Sequence, residues 1–217
     1  MRAMRAVLWD MDGTLIDSEE FHWIAWRDTL ASEGVKITKN QFLATFGQRN
    51  DSIIPQLLGG DVTSDTVERV GNSKEKRYRD MIRRKGIAPL PGVARWVHHL
   101  HDQGWRQAVA SAAPRANIDA VLKAVSAADV FEGIVAAEDV RRGKPDPEVF
   151  LAAASRVGVP PERCIVVEDA PAGVEAARRA GMKSIGISRN GKSLSADIVV
   201  ESLDLLGNGV FEELLNR

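Results

Sequence analysis

Short runs of apolar residues recur along the chain and predict the strands of a buried sheet. Four of them share one form: Ala6 to Trp9, Gln107 to Ala110, Cys164 to Val167 and Ser184 to Ile187. Apolar runs of this length without a regular polar alternation are typical of strands that are covered on both faces, as in parallel sheets. We therefore expect a mainly parallel sheet with helices packed on both sides.

Helix-like segments follow two of these strands. They run from Pro114 to Val125 and from Pro171 to Ala180, and Gly181 stands where it can cap the end of the second helix. Alternation of strand and helix favours an α/β protein with a doubly wound, Rossmann-like parallel sheet.

The alternation stops between about Glu19 and Lys85, where one helical pattern follows another. A connector rich in Pro and Gly, residues 86–92, marks the return to the core, and an amphipathic helix resumes at Val93. We therefore expect an inserted helical domain. The predicted domains are a core formed by residues 1–18 and 87–217 and an α-helical cap formed by residues 19–86.

Composition and charge restrict the class of partner. Of the 217 residues, 44% are hydrophobic and 27% are charged, which is typical of a globular protein. The 29 basic and 30 acidic residues nearly cancel, so no positive field favours nucleic acid or a membrane surface. We expect a small-molecule partner, and either a monomer or a small homo-oligomer.

Two features predict a cytoplasmic protein without a membrane span. No stretch approaches the roughly 18 consecutive apolar residues that a spanning helix requires. Cys164 is the only cysteine, so an internal disulfide is excluded, and its apolar neighbours favour a buried packing thiol over a nucleophile.

Two carboxylates directly follow the first predicted strand. Asp10 and Asp12 should project at its carboxyl end, where open α/β sheets bind their ligands. Phosphate monoesters hydrolyse so slowly that enzymes supply up to about 10²¹-fold acceleration, and a carboxylate nucleophile is one means of doing so. We expect Asp10 to attack phosphorus, and Asp12 to protonate the leaving oxygen and then activate the incoming hydroxyl.

A carboxylate that approaches a phosphate needs a cation between them. At about 4 Å the repulsion is roughly 4 kcal/mol per pair of unit charges, for an effective dielectric constant near 20. Magnesium suits a site built from carboxylates, waters and a substrate oxygen, so Mg²⁺ is the expected cofactor. Asp169, at the end of the third strand, is a further expected ligand, and Glu168 beside it could act through a water.

Ser111 and Lys144 complete the predicted site. Ser111 follows the second strand, and we expect it to open a helix whose N-terminus binds phosphate, with Ala112 as its neighbour in the site. Lys144 lies in a turn with Pro145 and Pro147, where it could pair with the nucleophile and with the charge on the transferring group.

In this order and spacing, the four elements resemble the haloacid dehalogenase superfamily, in the branch whose helical cap is inserted after the first motif. The resemblance covers essentially the whole chain. The motifs that carry it are Asp10-x-Asp12-Gly-Thr-Leu-x-Asp17-Ser18, Ser111, Lys144-Pro145, and Glu168-Asp169 with Ala172-Gly173.

This resemblance implies roles for individual residues. It implies that Asp10, the backbone carbonyl of Asp12 and Asp169 bind magnesium, and that Ser111 and Lys144 hold phosphate. An Asp rather than a small residue at position 12 favours phosphate esters over dehalogenation.

Residues of the insertion are harder to interpret. His22 and Arg49 match cap positions that meet the substrate in similar enzymes, so both are predicted substrate-binding residues. For Lys74, a solvated helix face is the favoured interpretation. Asp17 and Ser18 are interpreted as caps of the following helix.

The predicted function is hydrolysis of a small phosphorylated metabolite, a sugar phosphate or phosphoglycolate, through an aspartyl phosphate. The alternative is a sugar phosphomutase resembling β-phosphoglucomutase, which would use the same carboxylates. A phosphate sensor without turnover is disfavoured because no catalytic position is damaged. Residues 186–193 match a P-loop pattern, but the sequence after them turns into a strand rather than the required helix.

Overall fold

The computed structural model of the protein describes residues 4–189, 191 and 193–217. Two residues of the P-loop-like segment, 190 and 192, lie outside the described residues. Among the described residues, no helix is both long and apolar enough to cross a bilayer.

Six parallel strands form one sheet in the described part of the chain, in the order β3-β2-β1-β4-β5-β6. This confirms the predicted fold class. The strands are β1 (Ala6–Trp9), β2 (Arg106–Ala110), β3 (Gly133–Val135), β4 (Cys164–Glu168), β5 (Lys183–Ile187) and β6 (Ile198–Val200).

The first strand lies at the centre of the sheet. Trp9, its last residue, is in register with Val109 of β2 on one side and with Val167 of β4 on the other. The chain therefore leaves all three strands at the same edge of the sheet.

Helices follow in the order α1 to α9. Their bounds are α1 (Glu19–Ser32), α2 (Lys39–Thr45), α3 (Asn50–Leu58), α4 (Ser64–Lys85), α5 (Val93–Asp102), α6 (Arg115–Ala124), α7 (Glu148–Arg156), α8 (Pro171–Arg179) and α9 (Val210–Leu215). Short 3₁₀ helices cover Ala128–Val130, Ala137–Asp139, Pro161–Arg163 and Leu203–Leu205.

Both faces of the sheet are buried, which explains the unbroken apolar runs. Val7 and Trp9 of β1 belong to the hydrophobic cluster on one face, and Ala6 and Leu8 belong to the cluster on the other. Successive side chains of a strand point to opposite faces, so each must be apolar or have a hydrogen-bond partner. The buried amide of Gln107 satisfies this requirement, since its Oε1 accepts from Trp9 Nε1 at 3.0 Å.

Helices α1 to α4 contain a hydrophobic cluster of their own, away from the sheet. Its buried members are Trp26, Leu30, Phe42, Ile53, Ile54 and Val70. Helix α4 also packs against α6, so the inserted helices contact the core beside the carboxyl edge of the sheet. A separate cluster is what a distinct cap would require, while the boundaries of core and cap stay a prediction.

Candidate active site

A cavity of about 610 Å³ opens at the carboxyl edge of the sheet, beneath the inserted helices. Asp10 follows β1, Ser111 follows β2 and Asp169 follows β4, and all three line this cavity. Lys144 reaches it from the loop before α7. The four positions that the sequence singled out therefore meet at one place, although up to 159 residues separate them along the chain.

Lys144 holds two buried carboxylates together. Its Nζ donates to Asp10 Oδ1 at 2.5 Å and to Glu168 Oε2 at 2.9 Å. Burial by itself would lower the pKa of the Lys144 ammonium, but the two carboxylates outweigh it and raise that pKa above its ordinary value. Lys144 therefore stays charged beside the carboxylate that we expect to be the nucleophile.

Asp10, Glu168 and Asp169 can place one carboxylate oxygen each within 4.8 Å of one another. Burial and the charges of Glu168 and Asp169 raise the pKa of Asp10 well above its ordinary value, although Lys144 opposes them. The nearby ammonium thus does not fully stabilise the negative charge of Asp10. A divalent cation bound beside Asp10 would stabilise that negative charge further, and carboxylate oxygens are ligands that Mg²⁺ prefers.

Glu168 lies in the cluster itself. Its Oε1 accepts from the backbone N–H of Asp169 at 3.0 Å and of Ala170 at 3.3 Å, while Oε2 faces Lys144. These bonds fix the carboxylate, so any metal contact through a water would start from a rigid position.

Two glycines allow the cluster to form. A Cβ on Gly13, whose φ is +90°, would collide with the carboxylate of Asp169. A Cβ on Gly173, at the start of α8, would overlap the carboxylate of Glu168. The backbone must approach both acidic side chains closely, and only glycine permits this.

The Asp12 side chain takes no part in the acidic cluster of the described residues. Its Oδ1 accepts from Ser18 Oγ at 2.5 Å and lies 3.1 Å from His22 Nε2 and 3.4 Å from Tyr78 Oη. Burial alone would raise the pKa of the Asp12 carboxyl, but His22, Ser18 and the charge of Lys74 lower it below its ordinary value. Oδ1 of this carboxylate therefore faces the inserted helices, and binding of a metal by the backbone carbonyl of Asp12 stays a prediction.

A chain of buried polar side chains extends this network away from Asp12. Lys74 Nζ lies 2.8 Å from His22 Nδ1 and donates to Glu75 Oε1 at 2.9 Å. Because an ammonium can only donate, His22 Nδ1 accepts, and its ring proton stands on Nε2, facing Asp12. Lys74 is only 3% exposed, so the expectation of a solvated helix face was wrong.

Asn117 of the core helix α6 lies at the far end of this series of hydrogen-bonded side chains. Its Nδ2 donates to Glu75 Oε2 at 2.5 Å, and its Oδ1 accepts from Arg79 at 2.9 Å. Asn50 donates to Glu75 Oε1 at 2.8 Å. One core side chain therefore links two residues of α4, and through Glu75 it reaches as far as Asp12.

The prediction that Ser111 opens a helix was wrong. Helix α6 begins at Arg115, and the backbone N–H of that residue donates to both carboxylate oxygens of Glu138, at 3.2 and 3.1 Å. Ser111 Oγ instead accepts from the N–H of Ala113 at 3.1 Å. Ser111 and Ala112 line the cavity from the loop between β2 and α6, and the first residue of the helix stands four positions after Ser111.

Arg49 lies beside a separate cleft of about 340 Å³, on another side of Ala112. Its guanidinium donates to the carbonyl oxygens of Ala137 at 2.6 Å and Val140 at 3.2 Å, and to Asp51 at 2.9 Å. It therefore joins the inserted helices to the core in this structure. Its predicted contact with substrate stays a prediction.

The sequence analysis gave no role in the site to several residues of the hydrogen-bond network around Asp12. Ser18 was interpreted as a helix cap, yet its hydroxyl makes no capping bond and contacts Asp12 instead. Tyr78, also missed, stands four residues after Lys74, a spacing that places both on one helix face. Glu75 and Asn117 carried no signal, since their pairing joins residues 42 positions apart.

Comparison with known proteins places this geometry in a family. The sequence profile of the haloacid dehalogenase-like hydrolases matches residues 4–181. Hexitol phosphatase B of Escherichia coli (strain K12) is 33% identical, covering 95% of this chain and 98% of its own. The β-phosphoglucomutase of Bacillus subtilis (strain 168) is 30% identical, covering 91% of this chain and 89% of its own.

A solved structure gives the same result. The crystal structure of CbbY from Rhodobacter sphaeroides in complex with xylulose-(1,5)bisphosphate superposes with a TM-score of 0.84 at 28% identity. The alignment covers 94% of this chain and 96% of that one.

Proposed function

The chain belongs to the haloacid dehalogenase-like hydrolase family, and from this premise we propose that it is a magnesium-dependent phosphatase of a small phosphorylated metabolite. The observation that carries the proposal is the grouping of Asp10, Glu168 and Asp169 around one cavity, with Lys144 bound to Asp10. Relatives that act on phosphorylated sugars, such as hexitol phosphatase B, support a sugar phosphate as substrate.

In the first step, an Asp10 carboxylate oxygen attacks phosphorus and the bond from phosphorus to the leaving oxygen breaks. Asp12 donates a proton to that oxygen, and the alcohol departs. Lys144 offsets negative charge at Asp10, and Ser111 and Ala112 hold phosphoryl oxygens. Mg²⁺, held by Asp10, Asp169 and the carbonyl of Asp12, would supply positive charge between nucleophile and phosphate.

In the second step, a water attacks the aspartyl phosphate. Asp12 accepts a proton from the water, the bond from phosphorus to Asp10 breaks, and inorganic phosphate leaves. The lowered pKa of Asp12 stabilises its carboxylate, the form needed for this step. In the first step Asp12 must be protonated, and an incoming phosphate anion favours this because like charges nearby raise a carboxyl pKa.

A sugar phosphomutase is the second candidate. Similarity to β-phosphoglucomutase favours it, as does the contact of His22 with Asp12, which Lys74 supports from the other side of the ring and which could orient a sugar hydroxyl as acceptor. Chemically the two reactions differ only in whether water or a sugar hydroxyl receives the phosphoryl group.

The test follows inorganic phosphate released from a panel of sugar phosphates and phosphoglycolate, with Mg²⁺ and with EDTA. We expect Mg²⁺-dependent release, and a loss of at least about 10³-fold in kcat for Asp10→Asn, since the amide cannot act as the nucleophile. Asp129→Asn, an exposed Asp outside the cavity, is the matched control and should keep full activity.

Two results would contradict the phosphatase. Isomerisation of a sugar phosphate that needs a bisphosphate primer and releases no phosphate would identify a mutase. Full activity of Asp10→Asn would exclude both candidates, because each needs Asp10 as the nucleophile.

A further inference from the structure

A cleft of about 330 Å³ lies between the inserted helices α1 and α4. None of the described residues that line it also lines the cavity at the carboxyl edge of the sheet. We propose that this cleft is a second anion-binding site, which takes a small organic phosphate. The proposal rests on the positive charge of α4 and on the partners that this charge has.

Helix α4 concentrates positive charge in a chain that has almost no net charge. Eight of its 22 residues are basic and four are acidic, whereas the net charge of the whole chain is −1. Lys76, Arg77 and Arg84 bring part of this charge to the cleft. Arg77 and Arg84 lie about 10 Å apart along the helix axis and on nearly the same side, because seven residues make almost two turns. One anion in the cleft can therefore approach both guanidinium groups.

The two carboxylates of the cleft already have cationic partners. Asp28 accepts from Arg27 Nε at 2.8 Å, and Asp80 accepts from Lys76 Nζ at 2.7 Å. The hydrogen bond from Lys76, together with the charges of Lys76 and Arg83, holds the pKa of the Asp80 carboxyl below its ordinary value. The acidic groups therefore do not neutralise the two arginines of the cleft.

Arg77 and Arg84 keep most of their hydrogen-bond donors for a ligand. Arg77 Nη2 donates to Ser32 Oγ at 3.3 Å, and Arg84 Nε donates to the backbone carbonyl of Asp80 at 3.1 Å. Neither guanidinium forms an ion pair with a carboxylate of the described chain. A guanidinium carries five N–H donors in a planar fork that matches two oxygens of a phosphate. Arg77 would give up only a bond to a neutral hydroxyl on binding one.

Apolar side chains beside the arginines favour an organic phosphate over the inorganic ion. Ala25 and Met81 line the cleft and are 0% and 6% exposed, as members of the hydrophobic cluster on one face of the sheet. Ile24 lines the cleft and packs against the same cluster. A carbon skeleton or ring can cover these groups while its phosphate meets the arginines, and the water that it displaces strengthens the charge interaction.

The shape and charge of the surroundings favour a small ligand over nucleic acid or a membrane. The volume of the cleft is within the range of roughly 300–1,000 Å³ that is usual for small-molecule sites. Asp65 and Glu68 are exposed in the N-terminal half of α4, so the positive surface does not continue along the helix. An extended polyanion would meet these carboxylates, whereas a small phosphate would not.

The experiment maps the binding of AMP on the amide signals of the protein by two-dimensional NMR, with EDTA present to remove divalent cations. AMP is the probe because its phosphate suits the arginines and its uncharged nucleoside suits the apolar side chains. We expect saturable shifts in residues 24–32 and 73–84. Adenosine, the matched probe without a phosphate, should bind there at least about tenfold more weakly.

Arg77→Gln and Arg84→Gln should each raise the Kd for AMP at this cleft at least about fivefold, because each removes a charged donor. Lys85→Gln is the matched control. It removes one charge from the same helix at an exposed position outside the cleft, and should change the Kd less than about twofold. The shifts of the wild-type protein decide alone if a variant does not fold.

Three results would overturn the proposal: shifts confined to the cavity at the sheet edge, adenosine that binds the cleft as tightly as AMP, or an unchanged Kd in both arginine variants. Arginine-dependent binding of a single-stranded oligonucleotide or of phosphatidylserine vesicles, without binding of AMP, would identify a surface for a macromolecule or membrane instead. These outcomes leave the proposed phosphatase untouched, because its reaction uses other residues.

Discussion

At the scale of single residues, Lys144, Gly13 and Gly173 determine how closely three acidic side chains approach one another. Lys144 reduces the repulsion between Asp10 and Glu168, while the two glycines leave room for the carboxylates of Asp169 and Glu168. The geometry of the cluster thus depends on the absence of a Cβ atom at Gly13 and Gly173 as much as on the charged groups.

Gly173→Ala is expected to reduce activity although the new methyl group carries no charge. Its Cβ would overlap the Glu168 carboxylate, which would have to rotate away from Lys144 or shift the start of α8. We expect kcat/KM to fall about tenfold or more, with a loss of stability of about 1–3 kcal/mol by urea unfolding. Gly207→Ala, where a Cβ meets nothing within 4 Å, is the control. Unchanged activity in Gly173→Ala would show that Glu168 is not held as described.

Glu75 gives a prediction about pH. Burial by itself would raise the pKa of the Glu75 carboxyl, but Lys74, His22 and Asn117 outweigh it and lower that pKa below its ordinary value of 4.5. A group with a depressed pKa in the folded state stabilises the protein above its unfolded pKa, and the contribution disappears as pH falls through the folded pKa.

Glu75→Gln should therefore be less stable than the wild type near pH 7, and the difference should diminish below about pH 4. Urea unfolding at several pH values measures it. Glu68→Gln, at an exposed position of the same helix, should show no such trend. A difference that grows toward acid pH would mean that Glu75 is held in its protonated form.

At the scale of elements, α4 connects the inserted helices to the reaction site. It carries Lys74, Glu75 and Tyr78 on the side that faces Asp12, and Glu75 also meets Asn117 of α6. A basic last turn and a Thr63 side chain that accepts from Thr66 N–H stabilise the ends of this 22-residue helix. Its middle can therefore present buried polar groups without unfolding.

Asn117→Ala tests whether the contact of α4 with α6 supports the position of Asp12. The change removes a donor from Glu75 and an acceptor from Arg79, so we expect a loss of about 1–3 kcal/mol in unfolding free energy. If Glu75 fixes Lys74 and His22, kcat should fall more than KM rises. Asn216→Ala, at an exposed Asn, serves as control. A loss of stability with unchanged kcat would restrict Asn117 to a structural role.

At the scale of the whole molecule, the inserted helices bury one apolar cluster of their own, and Ala25 of α1 and Tyr78, Met81 and Ile82 of α4 also belong to the cluster on one face of the sheet. Polar contacts also join the two parts, among them Arg49 to Ala137 and Glu75 to Asn117. The inserted helices are therefore held against the core by apolar packing as well as by hydrogen bonds.

Magnesium should stabilise the folded protein. A ligand present at about 100 times its Kd adds about 2.7 kcal/mol to the unfolding free energy, so Tm should rise with Mg²⁺ and return with EDTA. Asp169→Asn should weaken or abolish the shift, whereas Asp61→Asn, at an exposed Asp, should retain it. A full shift in Asp169→Asn would exclude this cluster as the magnesium site.

The sequence by itself determined the fold class, five of the six described strands and the carboxylates that follow two of them. Those features are local: strand periodicity, helix ends and Asp10, Asp12 and Asp169 at the ends of apolar runs are all readable within a few residues. Strand β3 was not predicted from the sequence, because its three residues are too few to show a pattern.

Only the tertiary structure decided which way Asp12 faces, that Lys74 is buried, and that Asn117 meets Glu75. The bonds from Tyr78 to Asp12 and from Asn117 to Glu75 join residues 66 and 42 positions apart, and they form because α4 packs against α1 and α6. Sequence pattern records whether a position prefers water or the interior. It does not record which buried polar partner will satisfy a side chain, because that choice is made by the packing of distant elements.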